Sequence, residues 1–375
     1  MRKVKNLVVG CGLSGIVLAE RLASQKHEEV LIIDRRDHIG GNIFDYKDRE
    51  TGITVHQYGP HIFHTTYRKV WDYMQQFSEF NTFQLTVTAW IDGKAVPVPF
   101  NFNSMEKLFP AFLAEKIEKK LIEKFGYDVK VPILKLREEK DEDLAFLAEF
   151  VYKNVFEGYT LKQWGLKPEE IDPTVTARVP VFVGRDDRYF QDAYQGIPIN
   201  GYTKMVEKML SNPLIKTELN TNWADIKNGI EYDRLFFTGS IDEFFDYEFG
   251  ILPYRSVYFK KQVKDYPYEQ PSATINYPTN YEWTRICEPK FFLKENSEKT
   301  VLVREYSEAF ELDKNERYYP IANEDNQALY NRYIEKAKAL KNVWFLGRLG
   351  DYKYYNMDQC VLRALELFKE VSEDD

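Results

Sequence analysis

The chain has 375 residues and carries 51 Lys plus Arg against 59 Asp plus Glu, a net charge of −8 at pH 7. That length can bury a large core and predicts two or three domains of about 150 residues each, while the acidic balance argues against a general binder of nucleic acid or anionic membrane. Cys11, Cys287 and Cys360 lie far apart, offering neither a disulfide framework nor a metal-ligand spacing; the cytoplasm is the expected compartment, and no run of about eighteen apolar residues predicts a membrane span.

The apolar run over residues 4–9 ends at Gly10, Gly12 and Gly15, and a second run over 30–33 ends in Asp34. Together they predict a dinucleotide-binding βαβ unit. The first glycine allows a tight strand-to-helix turn, the second lets backbone N–H groups approach a pyrophosphate, and the third lets helix and strand pack closely. Between the runs, Ile16, Leu18, Ala19, Leu22 and Ala23 mark one face of a helix whose N-terminus suits the pyrophosphate, and Asp34 can accept hydrogen bonds from a ribose. The opening Met1-Arg2-Lys3 superficially resembles a secretory leader, but Glu20 and Arg21 interrupt the apolar stretch and no small-residue cleavage site follows, so it reads as mature structure. Cys11 reads as a small residue that fits beside a cofactor.

Further along, residues 82–90 and 95–98 flank Asp92-Gly93 and predict a hairpin. Residues 104–164 turn helical, with Ser104 as an expected N-cap and apolar spacing of three and four over 114–125 and 144–156; the charged run 136–143 is expected to be a solvated connection between helices. Residues 254–304 predict an antiparallel sheet. Two late apolar runs, 235–239 and 343–348, predict strands that return to the first sheet, the second followed by a helix from about 356 to 370. The expected organisation is α/β: a discontinuous Rossmann-like domain over 1–65, 201–245 and 340–375, an inserted helical domain over 103–165, and an inserted antiparallel sheet and substrate domain over 80–102, 166–200 and 246–339. The chain holds 26 Tyr and 26 Phe, and tyrosines crowd 152–202 and 306–355. A buried tyrosine hydroxyl needs a polar partner, so this pattern suits a pocket for a polar, ringed ligand.

The glycine loop, Ile39-Gly40-Gly41-Asn42, residues 58–64 (YGPHIFH), residues 159–165 (YTLKQWG) and residues 347–354 (GRLGDYKY) together resemble bacterial UDP-galactopyranose mutase, from one end of the chain to the other. The resemblance implies FAD, active when reduced, with Gly10, Gly12, Gly15, Asp34, Arg35, Gly41 and Asn42 around its ADP half. It places Gly59, His61, Ile62 and His64 toward the isoalloxazine ring, and Arg348, Asn356 and Met357 toward its pyrimidine end, where a positive helix terminus would stabilise negative charge on reduced flavin. His61 is then a cofactor-tuning residue. For the nucleotide sugar it implies that Arg178 and Arg285 clamp the diphosphate, for which guanidinium forks suit phosphate oxygens. Tyr189, Tyr319 and Tyr354 join them, Phe156, Tyr159 and Trp164 take the uridine, and Asn276 completes the set. The stretch around Arg178 is bracketed by Pro173 and Pro180 and corresponds to a mobile lid in the family.

No serine elbow, HExxH motif or paired-carboxylate signature appears, so the cofactor is the better candidate for bond making. The resemblance implies interconversion of UDP-galactopyranose and UDP-galactofuranose through a flavin N5–sugar adduct, with no net redox, an external reductant such as NAD(P)H and a homodimer. Asn356 stands where several relatives carry aspartate, and Val155 where an aromatic is common. Mutases for UDP-N-acetylgalactosamine or a dTDP-6-deoxysugar are the near alternatives. A flavin oxidoreductase of the amine-oxidase type is the rival from another class, and a silent nucleotide-binding module would have no reason to keep the arginines and tyrosines together.

Overall fold

The computed structural model describes residues 2–170, 180–321 and 323–373. The last four residues of the strand Arg2–Val9 are all buried, as a central strand of a parallel sheet requires. Val30–Ile33 pairs on one side of it and Ile230–Phe237 on the other, both parallel. Ile215–Glu218 and Val343–Phe345 complete a five-stranded sheet in the order 215–218, 30–33, 2–9, 230–237, 343–345. Both late apolar runs therefore return to the first sheet, although 235–239 is only the end of a strand that starts at Ile230. Ile215–Glu218 carried no such signal, because as an edge strand it buries only Ile215.

Side chains alternate between the two faces of this sheet. Val8, Ile32 and Phe236 meet the helix Leu13–Gln25 and, behind it, the helix Met357–Glu373, which buries Val361, Ala364, Leu367 and Val371 at three- and four-residue spacing. Leu7, Val9, Ile33 and Leu235 meet Trp223 on the opposite face.

A second sheet has seven strands in the order 319–320, 254–264, 300–309, 285–287, 274–276, 87–91, 94–98. It is antiparallel except where Thr274–Asn276 meets Val87–Ile91 in parallel. The chain between those two strands is long, so no hairpin fixes their relative direction. The predicted hairpin forms around Asp92 and Gly93, both with positive φ (48° and 74°), as a two-residue turn matched to strand twist requires. Its first strand begins at Val87 rather than at residue 82, because the preceding residues bond to the 188–189 segment instead.

In the helical insertion, Asn101 rather than Ser104 caps Phe102–Leu108: the two side chains exchange hydrogen bonds with each other's backbone in a capping box. Asp141 caps Glu142–Val151, and the charged connection is shorter than expected because Ile133–Leu136 is already helical. The single helix expected over 144–156 instead passes from α into a π segment, Tyr152–Glu157, and continues as Gly158–Trp164. The stretch expected as sheet also contains a helix, Glu324–Ala337, capped by Asn323 and buried through Tyr330 and Tyr333.

Candidate active site

The glycine loop divides its labour as the residue types require. Gly10 has φ +106°, and a Cβ there would fall 1.9 Å from Thr238 Oγ1; one at Gly15 would fall 2.1 Å from the Gly10 carbonyl oxygen. Gly10 is glycine because of its positive φ and the Thr238 side chain beside it, and Gly15 because a backbone oxygen takes the place of a Cβ. A Cβ at Gly12 would meet nothing nearer than Gly41 Cα at 4.0 Å and would project into an open cleft. The helix Leu13–Gln25 has no side-chain cap at its N-terminus, so its first-turn N–H groups remain for an acceptor in that cleft. The Cys11 N–H donates to Asp34 Oδ2 at 2.7 Å and the Arg36 N–H to Oδ1 at 2.9 Å, which fixes the carboxylate at the rim. The cleft spans about 1260 Å³, solvent-open space at its mouth included, and is lined by Gly10, Gly12, Asp34, Arg35, Gly41, Asn42, His61, Arg348 and Met357 from the predicted set. An uncapped helix end above a loop that carries no side chain at Gly12 fits a pyrophosphate. Gly15 lies beneath the loop, and Gly59 packs against Phe259. Arg35 pairs with Glu316 at the exposed rim. Arg36 stacks on Tyr58 at 4.5 Å and donates to Asn42 Oδ1.

At His61, Tyr318, Arg348 and Met357 the cleft meets a second chamber of about 1170 Å³, which Ile62, His64, Tyr159, Trp164, Tyr189, Arg285, Tyr319, Tyr354 and Asn356 also line. His61 Nδ1–H donates to the Gly59 carbonyl at 2.8 Å, and the His61 backbone N–H donates to His56 Nδ1 at 3.0 Å. Burial pushes both histidines down to about 3, with His56 adding to the effect at His61. His61 is therefore neutral, and its Nε2 is an acceptor where the two spaces join. His64 bonds through Nδ1 to Asp192, holding that carboxyl below its usual range, and stacks on Phe190.

Arg285 gives Nε and Nη2 to the same oxygen of Glu305, at 2.8 and 2.7 Å. Glu305 is 2% exposed and also accepts from Thr284 Oγ1 at 2.9 Å. Burial works against the charge of Arg285, but Glu305, with Tyr159 and Tyr319, outweighs it and holds the guanidinium protonated. Trp164, Tyr319 and Tyr354 pack mutually at 5.0 to 5.7 Å, and the Arg348 guanidinium lies 5.2 and 5.5 Å from the two tyrosine rings.

Beyond Tyr159, Trp164 and Tyr189 the chamber opens into a slot of about 570 Å³ that Val155, Phe156 and Asn276 also line. The π segment sets Val155 and Phe156 in its wall. Asn276 Oδ1 is buried without a partner among the described residues, a vacancy that an N–H of a bound base can fill. The helix Gly158–Trp164 is held by its C-terminal carbonyls: Arg255 Nε and Ser307 Oγ both donate to the Gln163 carbonyl at 2.8 Å. Arg178 lies outside the described residues. Every other predicted site residue except Gly15 and Gly59 lines one of these three spaces.

A family model for UDP-galactopyranose mutase matches residues 154–354, and one for NAD(P)-binding Rossmann-like domains matches residues 8–77. Among curated relatives, dTDP-fucopyranose mutase of Escherichia coli is 37% identical, covering 96% of this chain and 97% of its own. The probable UDP-galactopyranose mutase of Klebsiella pneumoniae is 36% identical over 97% of this chain and 94% of its own. The chain belongs to the UDP-galactopyranose mutase family. Members of that family are isomerases. In three dimensions the chain superposes on a crystal structure of reduced UDP-galactopyranose mutase with TM-score 0.72 at 17% identity, covering 100% of this chain and 95% of the other. A putative protoporphyrinogen oxidase from Exiguobacterium shares the fold at TM-score 0.66 and 13% identity, covering 99% of each chain.

Sequence reasoning missed several residues of this mutase-family site: Glu305, Asp192, Tyr318 and Gln163. Glu305 had a usable signal, since a lone carboxylate after Val301-Leu302-Val303 needs a buried cation. Its partner could not be read, because the register that sets Arg285 opposite Glu305 joins strands separated by a long loop. Among the described residues no helix is long and apolar enough to cross a membrane, and no group of three or more His, Cys, Asp or Glu could hold a metal ion.

Proposed function

We propose that the chain interconverts UDP-galactopyranose and UDP-galactofuranose on reduced FAD, with no net redox. The carrying observation is the serial arrangement of three spaces, in which the dinucleotide cleft opens at His61 and Arg348 into a chamber holding Arg285, and that chamber opens into an aromatic slot. In this reading residues 1–65, 201–245 and 340–375 hold the cofactor, the pyrophosphate resting on Gly12 and the uncapped helix end, and Asp34 facing a ribose.

When bound and reduced, a flavin held by Gly12, Asp34 and the uncapped helix end would supply a nucleophilic nitrogen for displacing the diphosphate, which departs with its bonding pair, from the anomeric carbon, and the diphosphate's return would restore the flavin with no net redox. The chain's own residues bind, orient and neutralise. Tyr159 and Phe156 take the uracil, and Asn276 accepts its N–H. Arg285 is held in one orientation by Glu305 and presents the chamber with a permanent cation for the diphosphate; stabilising that group as it departs is where such a charge accelerates the reaction. Arg178 is the second clamp. Neutral His61 offers an acceptor at the junction, and Arg348 compensates negative charge on the flavin. NAD(P)H or a similar donor supplies the initial reduction, and the working form is a homodimer.

A second reading has a specific observation behind it. The Escherichia coli relative is a dTDP-fucopyranose mutase, and the slot wall carries Val155 with Ala89 and Val98, an aliphatic surface suited to the methyl group of thymine. The test incubates flavin-loaded, dithionite-reduced protein separately with UDP-galactofuranose and dTDP-fucofuranose and follows the pyranose isomer. Turnover of UDP-galactofuranose only by reduced protein supports the first reading, faster turnover of the dTDP sugar the second, and equal turnover by oxidised protein defeats both. Arg178→Ala should lose nearly all turnover while keeping its flavin; near-normal turnover rejects the clamp.

A further inference from the structure

The ammonium of Lys162 is held by backbone oxygens alone. Its Nζ donates to the carbonyls of Tyr277, Thr279 (3.0 Å), Tyr281 (3.2 Å) and Trp283 (3.3 Å), and among the described residues no carboxylate pairs with it. Three N–H donors serve four acceptors, so the alternate carbonyls of one loop converge into a partial crown around the charge. Outside the crown the side chains of the same loop residues close on each other, with Tyr277 to Tyr281 at 4.8 Å, Tyr281 to Trp283 at 5.1 Å and Tyr277 to Trp283 at 5.7 Å. Rings on one side and an ammonium on the other tie the loop from both sides.

The two elements joined in this way both belong to the site. Lys162 sits on Gly158–Trp164, the helix that carries Tyr159 and Trp164. The loop connects Thr274–Asn276 to Arg285–Cys287, and Asn276 and Arg285 stand directly opposite each other in that hairpin. A second close approach lies one helical turn away, where a Cβ on Gly158 would fall 2.2 Å from the Pro278 carbonyl oxygen. We infer that Lys162 is a positioning residue: by gripping the loop it fixes the separation between the base slot, walled by Tyr159, and the diphosphate site at Arg285. This rests on the reading of the slot given above. It assigns Lys162 no contact with substrate or cofactor.

The experiment uses flavin-loaded protein with UDP and, separately, dTDP as probes, measured by calorimetry. Lys162→Met, which keeps most of the apolar stem, and Lys162→Ala should retain the flavin spectrum yet bind the preferred nucleotide on the order of 10- to 100-fold more weakly, as expected for losing charge-assisted bonds that hold two binding elements together. In Lys162→Ala the vacated carbonyl crown can accept a small cation, so methylammonium or potassium ions should recover part of the lost affinity while leaving the wild type unaffected. A merely structural lysine would lower the melting temperature without changing nucleotide affinity or its dependence on the cation. If Lys162→Met is folded and flavin-replete and binds the nucleotide as the wild type does, the inference is overturned and the mutase reading stands. If the wild type itself binds neither UDP nor dTDP, the slot reading falls and takes the inference with it.

Discussion

Replacing Gly12 by alanine separates folding from cofactor binding in a way the other two loop glycines cannot. Gly12 has φ −88° and ψ 178°, a conformation open to any residue, and its Cβ would stand 4.0 Å from the nearest heavy atom beyond its chain neighbours and its own helix, Gly41 Cα. Alanine gains about 0.4–1 kcal/mol by restricting the unfolded chain and loses a comparable amount as a poorer helix N-cap than glycine. The net effect on the flavin-free protein is within about 0.5 kcal/mol, no more than about 2 °C in melting temperature. At Gly15 the same methyl meets a backbone oxygen at 2.1 Å, which only a shift of the loop can relieve, at about 1–3 kcal/mol or more. Cofactor binding reverses the order of damage at Gly12, because the methyl occupies the space through which a pyrophosphate reaches the helix N–H groups. Losing one or two such bonds, at about 1.5–3 kcal/mol each, weakens binding on the order of 10-fold at the least and 100-fold or more if both are lost. Calorimetric melting of flavin-free Gly12→Ala, followed by FAD titration monitored by flavin fluorescence, reads both numbers. Wild-type FAD affinity in a folded Gly12→Ala protein would place the pyrophosphate somewhere else.

Two further outcomes follow from buried ionisable groups. Arg285→Met leaves the Glu305 carboxylate buried with only Thr284 beside it, which should cost about 3–5 kcal/mol. Adding Glu305→Gln should recover most of that in a denaturant melt, and no recovery would mean that the pair is not the source of the loss. His56 is 3% exposed and is held down to about 3 by burial, against about 6.5 in the unfolded chain. Between those values the unfolded chain binds the proton and the folded chain does not, so stability falls as pH drops from about 6.5 toward 3, by up to about 1.4 kcal/mol per pH unit from this residue. His56→Asn should flatten the slope of unfolding free energy against pH across that window; an unchanged slope contradicts the assignment.

The dinucleotide half was legible because its physics is local. A tight turn, a close backbone approach and a helix start each demand a particular residue within a few positions, and the burial of residues 7–9 and 30–33 leaves two short apolar runs beside them. Helix N-caps were legible only in part: Ser104 belongs to a capping box, but whether it or Asn101 is the cap depends on which backbone turns first, and the entry from the strand Lys94–Val98 decides that. The π segment was not legible at all. Its residues keep helical spacing, so nothing in the sequence pattern marks the extra residue per turn. Of the site, most positions reached through resemblance line three connected spaces, Gly59 and the undescribed Arg178 excepted, whereas residues whose role is set by cross-strand register, Glu305 above all, had to wait for the structure. Asp192 likewise bonds a histidine 128 residues earlier, a distance over which sequence spacing carries no signal.

The charges around the chamber constrain how a diphosphate can be held there. Among the described residues its lining contributes two guanidinium groups, Arg285 and Arg348. The charge of Arg285 is already balanced by Glu305. Arg348 donates to the Tyr355 carbonyl at 2.8 Å and lies against two tyrosine rings, facing the junction with the dinucleotide cleft. His61 and His56 are neutral and supply no positive charge. A sugar diphosphate brings two negative charges into this space, so the described residues leave it under-neutralised, the more so if the flavin at the junction is itself anionic. Burying such an excess in a partly dry chamber is costly unless another cation arrives with the ligand. Arg178 is the residue the sequence offers for that task. The balance therefore predicts an order of events in which Arg285, pre-oriented by Glu305, receives the diphosphate and Arg178 completes its neutralisation. On this account, removing Arg178 impairs the step in which the leaving group gains charge more severely than it impairs initial binding. A comparison of UDP affinity with turnover in Arg178→Ala reads that split directly: a loss confined to affinity, with turnover at saturating substrate intact, would overturn the order proposed.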